Sequence, residues 1–110
     1  MNICLLVGVV GSEPRLERIP EHRPLCRFFV KTFTGRYDNG PERSEETHNC
    51  LAFGAEAEWT VAHVKCGSTV YLEGKLRHRR SGAEIVCNQI RLLEPPPQKK
   101  EDFPITQPRS

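Results

Sequence analysis

The sequence has no long hydrophobic run, no targeting pattern at its amino terminus and no closely spaced pair of cysteines. No apolar run approaches the roughly 18 residues that a membrane-spanning helix needs. The opening MNICLLVGVVG has no basic region before its apolar stretch and soon turns polar, so it does not resemble a secretory signal. The cysteines form no Cys-x-x-Cys pair, which argues against a zinc or redox motif. These features predict a soluble, cytoplasmic protein with reduced thiols.

Sequence signatures of catalysis are missing as well. The chain has no His-x-Glu motif, nucleophile elbow or phosphate loop, and no pair of carboxylates framed by strands. Ser12 and Ser81 fall in predicted turns with no evident base, and the histidines form no ligand pattern. We therefore predict a protein that is not an enzyme and holds no metal or other cofactor. A nucleic-acid-binding protein and a pure protein-interaction adaptor are the classes that remain.

The chain divides into one domain and a polar tail. Its 110 residues suffice for a single domain with a buried core. Hydrophobic residues make up only 37% of it, below the globular average, so part of the chain lies outside that core. From Glu94 onward, EPPPQKKEDFPITQPRS holds five of the nine prolines. The composition predicts a folded domain over residues 1–94 and a disordered, proline-rich tail over residues 95–110.

Hydrophobic periodicity predicts five strands and one helix. Apolar alternation indicates strands over residues 2–10, 25–33, 47–54, 68–79 and 83–93, with a turn at Ser81–Gly82. Helix formers over residues 55–67 indicate a helix between the third and fourth strands. This order is that of an all-β, five-stranded OB-fold, a Greek-key barrel with one α-helix and a binding face on its second and third strands. Three cysteines lie in the apolar runs and are predicted to be small buried residues: Cys26, Cys50 and Cys87.

The second predicted strand carries an unusual outward face. Within RFFVKTFTGRY, residues 27–37, a period of two predicts a core face of Cys26, Phe28, Val30 and Thr32. The opposite face alternates cations with rings: Arg27, Phe29, Lys31 and Phe33. Single-stranded nucleic acid offers phosphates to cations and unstacked bases to rings. The pattern therefore predicts a platform that stacks bases and follows a phosphate backbone; packing of Phe29 or Phe33 under a neighbouring subunit is the alternative.

A second basic cluster lies in the fourth strand, although the net charge is only +2. The segment KLRHRR, residues 75–80, holds four of the chain's 16 Lys and Arg residues. Alternation places Lys75, Arg77 and Arg79 on the face that also carries Tyr71, and Arg80 near the turn. A local basic ridge can steer a polyanion whatever the overall charge. The ridge predicts phosphate contacts, and a merely solvated hairpin tip is the alternative.

The residues also carry a resemblance. Over residues 2–93 the chain resembles the bacterial single-stranded-DNA-binding protein (SSB) family, through VGVVGSEP, EETHNCLAFG, KCGSTVYLEGKLRHR and QIRLL. A Phe-Gly pair, then a helix, then G-S-x-V-Y-x-E-G-x-L-R is quite specific to that family. The resemblance implies an OB-fold, a homo-oligomer and sequence-independent binding of single-stranded DNA in replication, recombination or repair. RNA binding stays open.

The resemblance further implies roles for individual residues. It implies that Phe53, Arg77 and Arg79 face the DNA. Asn49 occupies a position where the family often has a cation, and His48 matches a position near a subunit interface. We add Tyr71 to that interface. The family's three DNA-facing tryptophan positions here hold Arg36, Thr47 and Ser81. We predict that Phe29, Phe33 and Tyr37 supply rings in their place, and that Arg36 contacts DNA from the loop.

Part of the sequence also resembles a second family. RPLCRFFV is similar to the second strand of the primosomal replication protein PriB, a short, tryptophan-poor, dimeric OB-fold. A PriB-like replication-restart protein, acting as a DNA-binding adaptor, is therefore the alternative function. The two readings predict different assemblies, a tetramer for the general single-strand binder and a dimer for the PriB-like protein. The tail lacks the SSB run of acids with a hydrophobic tip, so recruitment of replication or repair proteins through it stays open.

Overall fold

The structure is a computed structural model that describes residues 1–34 and 44–97. Within those residues it contains six β-strands and one α-helix. The strands are β1 (Cys4–Val10), β2 (Arg15–Glu17), β3 (Leu25–Thr34), β4 (Ser44–Phe53), β5 (Thr69–Arg79) and β6 (Gly82–Glu94), and α1 (Gly54–His63) lies between β4 and β5. Neither the length nor the apolar content of α1 would let it cross a membrane, and the described residues hold no other helix.

The strands close into a barrel. Neighbours follow the order β1-β5-β6-β4-β3, and β1 also pairs with β3, which completes the circle. Every pairing is antiparallel except that of β4 with β6, where Cys50 lies opposite Ile85. This confirms the predicted OB-fold with a helix between its third and fourth principal strands. Gly8 allows β1 to cross from β5 to β3, because a Cβ there would overlap the Lys31 carbonyl oxygen.

Strand alternation and one face of α1 fill the barrel. The core residues are Val10, Cys26, Phe28, Val30, Cys50, Ala52, Ala57, Val64, Val70, Leu72, Ile85, Cys87 and Ile90. The predicted burial of three cysteines is confirmed, and all five thiols are free. Burial, reinforced by the neighbouring Cys87, raises the pKa of Cys26 to about 11, so this thiol stays protonated at neutral pH.

The structure corrects several boundaries. It adds the three-residue strand β2, which is too short for periodicity to reveal and exists because it pairs with β3 at Arg15–Arg27, Leu16–Cys26 and Glu17–Leu25. Strand β4 begins at Ser44 rather than at residue 47, and α1 ends at His63. The hairpin turn lies at Arg80–Ser81, one residue before the predicted position. Residues 98–110, most of the predicted tail, lie outside the described residues.

Candidate nucleic-acid interface

The outward face of β3 carries the predicted alternation of cations and rings. The pairing of β3 with β4 runs without a bulge from Leu25 to Thr34, so no residue changes sides. Phe28 and Val30 are buried, whereas Arg27 is exposed, Phe29 and Lys31 are half-buried, and 43% of the Phe33 surface is exposed. The predicted division of this strand into two faces is confirmed. The roles of the outward residues in binding stay predictions.

The Phe29 ring is held in place by the segment that follows β1. A Cβ on Gly11 would overlap this ring, so only glycine lets the two approach so closely. The Gly11 amide donates to the Phe29 carbonyl at 2.9 Å, and the Phe29 amide donates to Ser12 Oγ at 3.2 Å. Ring and backbone are therefore fixed before any ligand arrives, which lowers the entropy that binding has to overcome.

A cleft of about 330 Å³ opens beside Phe29. Outward side chains of β3 and β4 form one wall, since Asn49 lies directly opposite Phe29. The tip of the β5–β6 hairpin forms the other wall. The residues that line it are Ser12, Arg27, Phe28, Phe29, Asn49, Cys50 and Ser81–Glu84. Three predicted binding residues, Arg27, Phe29 and Asn49, thus meet at one site.

The basic ridge joins this cleft through Glu84. Arg77 lies opposite Glu84 in the hairpin, and its Nε donates to Glu84 Oε2 at 3.0 Å. Arg79 Nη1 donates to the same oxygen at 3.1 Å. Partial burial raises the pKa of Glu84, but the hydrogen bonds and charges of the two arginines outweigh it and lower that pKa below its usual value. The carboxylate is therefore ionised at neutral pH.

The cations of β3 are also paired with carboxylates. Arg27 Nε lies 3.6 Å from Glu17 Oε2, and Lys31 Nζ lies 3.5 Å from Glu45 Oε2. Exposed pairs of this kind contribute only about 0–1 kcal/mol each, so a phosphate can replace the carboxylate at little cost. Lys75, by contrast, forms no ion pair with any described residue. Cations and carboxylates are therefore interspersed on this face, which is not a uniformly basic surface.

Phe53 is the last residue of β4, four residues beyond Asn49 and immediately before α1. It pairs with Leu25 on β3, and alternation places it on the same side of β4 as Asn49. The Arg23 guanidinium carbon lies 5.4 Å from the centre of the Phe53 ring, within the range of a cation–π contact. One face of the ring is therefore covered by Arg23, and a base stacking on that face would have to displace the guanidinium.

Comparison with known proteins assigns a family. The sequence model of the Single-strand binding protein family (SSB) matches residues 1–92. The chain belongs to the single-strand binding protein family. Two curated SSB relatives are named single-stranded DNA-binding protein. The one from Neisseria meningitidis serogroup A / serotype 4A is 30% identical in an alignment 104 positions long, and the alignment covers 84% of this chain and 60% of that protein. The one from Bacteroides thetaiotaomicron is 34% identical in an alignment 109 positions long, and the alignment covers 86% of this chain and 67% of that protein.

The chain spans less than two thirds of the length of the Neisseria relative. Among solved structures, the Plasmodium falciparum SSB complex with ssDNA is similar, with a TM-score of 0.71 and 21% identity, covering 86% of this chain and 94% of that one. At this identity the similarity establishes a shared fold. The family match and the names of the relatives favour the SSB family over the PriB-like alternative.

The two residues predicted at a subunit interface in this SSB-family chain occupy different surroundings. His48 lies on the inward side of β4, and its Nε2 is 2.9 Å from Thr32 Oγ1 within the same chain. Tyr71 lies opposite Val7 of β1, and its hydroxyl donates to Glu73 Oε1 at 3.1 Å. That hydrogen bond, with some desolvation, raises the pKa of Tyr71. Both interface roles stay predictions.

The remaining residues that the sequence predicted to bind DNA lie away from the cleft or outside the described residues. Arg36 and Tyr37 lie outside the described residues. Arg80 is exposed at the hairpin turn, and Phe33 lies further along β3, opposite Glu45. Of the positions where the family has tryptophan, Thr47 is exposed on β4 and Ser81 lines the cleft. Across residues 1–34 and 44–97, no cluster of three His, Cys, Asp or Glu side chains is arranged to hold a metal ion.

Sequence reasoning missed two charged residues of this surface. Arg15 shares the outward face of β3, because β2 places it directly opposite Arg27, and without β2 it had no assigned direction. Glu84 was overlooked, although the predicted hairpin between the fourth and fifth predicted strands could have revealed it. A turn at Arg80–Ser81 places Arg77 opposite Glu84, and the predicted turn would have placed Arg79 there instead. Either register brings an arginine against this carboxylate.

Proposed function

We propose that this protein binds single-stranded DNA with little dependence on sequence, as a cytoplasmic, non-catalytic component of replication, recombination or repair. The observation that carries the proposal is the outward face of β3, where a fixed Phe29 ring stands between two cations beside a cleft. The names of the relatives point the same way. RNA can satisfy the same contacts, so the proposal makes DNA the principal ligand and RNA a secondary one.

Two physical terms supply the affinity. Phosphates replace Glu17 and Glu45 as partners of Arg27 and Lys31, and they reach Lys75, which has no partner to lose among the described residues. Counterions released from the DNA then make the affinity depend on salt. Bases stack on Phe29, and on Phe33 where its exposed ring permits, at about 1–3 kcal/mol for each stacked base. Duplex DNA keeps its bases stacked internally and gains only the phosphate term.

Fluorescence anisotropy with labelled oligonucleotides tests the proposal. We expect the single strand to bind much more tightly than the duplex at matched salt, and its affinity to fall linearly with salt on logarithmic axes. RNA of the same sequence measures the secondary ligand. Equal affinity for single strand and duplex would refute the proposal, because stacking could then play no part. An absence of salt-sensitive binding to any nucleic acid would favour the protein-interaction adaptor.

We further infer that the chain assembles with copies of itself through β1. Ile3, Leu5 and Val7 are more than half exposed although they are aliphatic, and Val7 lies opposite Tyr71. Within the described residues, β1 meets β3 only at Val9 and Val10, so Cys4–Gly8 keep one strand edge unpaired. An apolar stripe beside an open edge supports strand pairing between two copies.

Measuring the mass in solution tests this assembly and its size. We expect an oligomer for the wild-type chain and a shift to monomer for Leu5→Glu, which places a charge in the centre of the stripe. Ile19→Glu is the matched control, since Ile19 is 40% exposed after β2, a strand that pairs only with β3 among the described strands. A tetramer agrees with general single-strand binding, whereas a dimer would revive the PriB-like reading. A monomeric wild-type chain would overturn the inference.

A further inference from the structure

Glu84 is an unusual residue for a surface proposed to bind a polyanion. Its side chain is only 13% exposed, and it lines the cleft that also contains Phe29 and Asn49. Every hydrogen bond that the side chains of Arg77 and Arg79 donate to Glu84 ends on its Oε2 atom. No described residue donates a hydrogen bond to the other oxygen, Oε1. The cleft therefore contains an ionised carboxylate with half of its accepting capacity unused.

The cleft has the parts of a pocket for one base. Its volume of about 330 Å³ is at the lower end of the range for small-molecule sites, which suits a single ring system rather than a longer ligand. Phe29 offers a fixed apolar surface against which a base can lie. The polar groups around it are the Ser12 and Ser81 hydroxyls, the Asn49 amide, the Arg27 guanidinium and the Glu84 carboxylate. Stacking on a ring with hydrogen bonds to the base edge is how splayed bases are recognised.

We propose that this cleft binds one base of the single strand and that Glu84 makes it favour bases with an exocyclic amino group over thymine. An ionised carboxylate only accepts hydrogen bonds, so it pairs with the amino group of cytosine, adenine or guanine. Thymine presents carbonyl oxygens at the corresponding positions, and these repel a carboxylate. The inference rests on the proposed function and deepens it: most contacts stay indifferent to sequence, and one site does not.

The two arginines explain why the carboxylate can remain in a DNA-binding surface. They hold Glu84 by one oxygen and offset its charge, so a nearby phosphate does not meet an uncompensated anion. Their positions also fix the direction of the carboxylate, because a group held by Arg77 and Arg79 has little freedom to rotate. A fixed acceptor discriminates between bases better than a mobile one.

Oligo(dC) and oligo(dT) of equal length provide the test, since both are pyrimidine strands that stack weakly. The assay is run above neutral pH, where cytosine is unprotonated. We expect the wild-type protein to bind oligo(dC) at least about fivefold more tightly, the lower end of what one good base contact gives. Oligo(dU) should behave like oligo(dT), which would show that the thymine methyl group is not responsible. Glu84→Gln should abolish the difference, because an amide can both donate and accept.

Glu45→Gln is the matched control. It removes the same charge from the same face, where Glu45 pairs with Lys31, but Glu45 does not line the cleft. We expect it to raise the affinity for both strands alike and to leave their ratio unchanged. Equal or tighter binding of oligo(dT) by the wild type, or the same ratio in Glu84→Gln, would overturn the inference and leave the proposed function intact. Failure to bind either strand at low salt would instead remove the proposed function.

Discussion

At the scale of single residues, Phe28 and Phe29 are neighbours in sequence with different surroundings. Phe28 is 5% exposed in the core cluster, whereas Phe29 faces outward against Gly11. The difference follows from the strand period alone, because adjacent residues point to opposite faces. The role of each ring is therefore separable by experiment.

Replacing each phenylalanine with alanine should produce opposite phenotypes. Phe28→Ala leaves a cavity in the barrel and should lower the free energy of unfolding by about 3–5 kcal/mol. Phe29→Ala removes a stacking surface and should weaken single-strand binding by about 1–3 kcal/mol, with a smaller loss of stability from the contact with Gly11. Thermal unfolding and anisotropy on both variants measure the two effects. A stable but weakly binding Phe28→Ala, with an unfolded Phe29→Ala, would reverse the assignment.

At the scale of secondary-structure elements, the β5–β6 hairpin links two features that are separate in the sequence. Its strands bring the basic ridge of Lys75, Arg77 and Arg79 against Glu84, and its tip closes the cleft beside β3. The short turn makes this possible, since a longer hairpin would carry its tip beyond the β3 face. The ridge and the cleft are therefore adjacent, so in the proposed function both contact the same stretch of bound strand.

The double variant Arg77→Ala/Arg79→Ala tests the contribution of the ridge. Binding should weaken for every sequence, and the slope of log affinity against log salt should fall by about two phosphate contacts. The preference for oligo(dC) should also shrink, because Glu84 is no longer held in place. Some stability should also be lost, because Glu84 is left partly buried without its partners. Adding Glu84→Gln should restore that stability without restoring the salt slope. Unchanged affinity and slope in the double variant would mean that the ridge is only solvated.

At the scale of the whole molecule, the boundary between the barrel and the tail is defined by contacts. Strand β6 ends at Glu94, but Pro96 still lies against Gly67, where an added Cβ would approach the proline side chain to 3.2 Å. This contact reaches two residues beyond the predicted boundary at residue 94, and the division into domain and tail stays a prediction. Three prolines in succession keep this segment extended, since each fixes its own backbone.

Two truncations separate the tail from this contact. A chain ending at residue 97 should keep the melting temperature and the assembly of the full chain, because a polar, proline-rich segment buries little surface. A chain ending at residue 94 loses the contact between Pro96 and Gly67 and should melt slightly lower. Differential scanning calorimetry and mass measurement compare the three chains. A large drop for the chain ending at 97 would show that the tail docks on the barrel.

Local chemistry let the sequence determine much of this protein. Alternation in RFFVKTF specifies which side chains face outward, and helix formers after Phe53 specify where α1 begins, because both patterns depend on neighbours in the chain. The order of those elements then predicts the barrel. Residues with a strong local pattern, such as Phe28, Phe29 and Val30, were accordingly assigned to the correct face.

Only the tertiary structure determined which residues distant in the sequence come into contact. The contact of Phe29 with Gly11, the direction of Arg15 and the capture of Arg77 and Arg79 by Glu84 all depend on pairing between distant segments. That pairing follows from closure of the barrel and from a one-residue choice of turn, which no local pattern encodes. The sequence therefore contained the cations and rings of the outward β3 face, and only the closed barrel placed the Glu84 carboxylate in the cleft beside them, where the proposed selection between bases takes place.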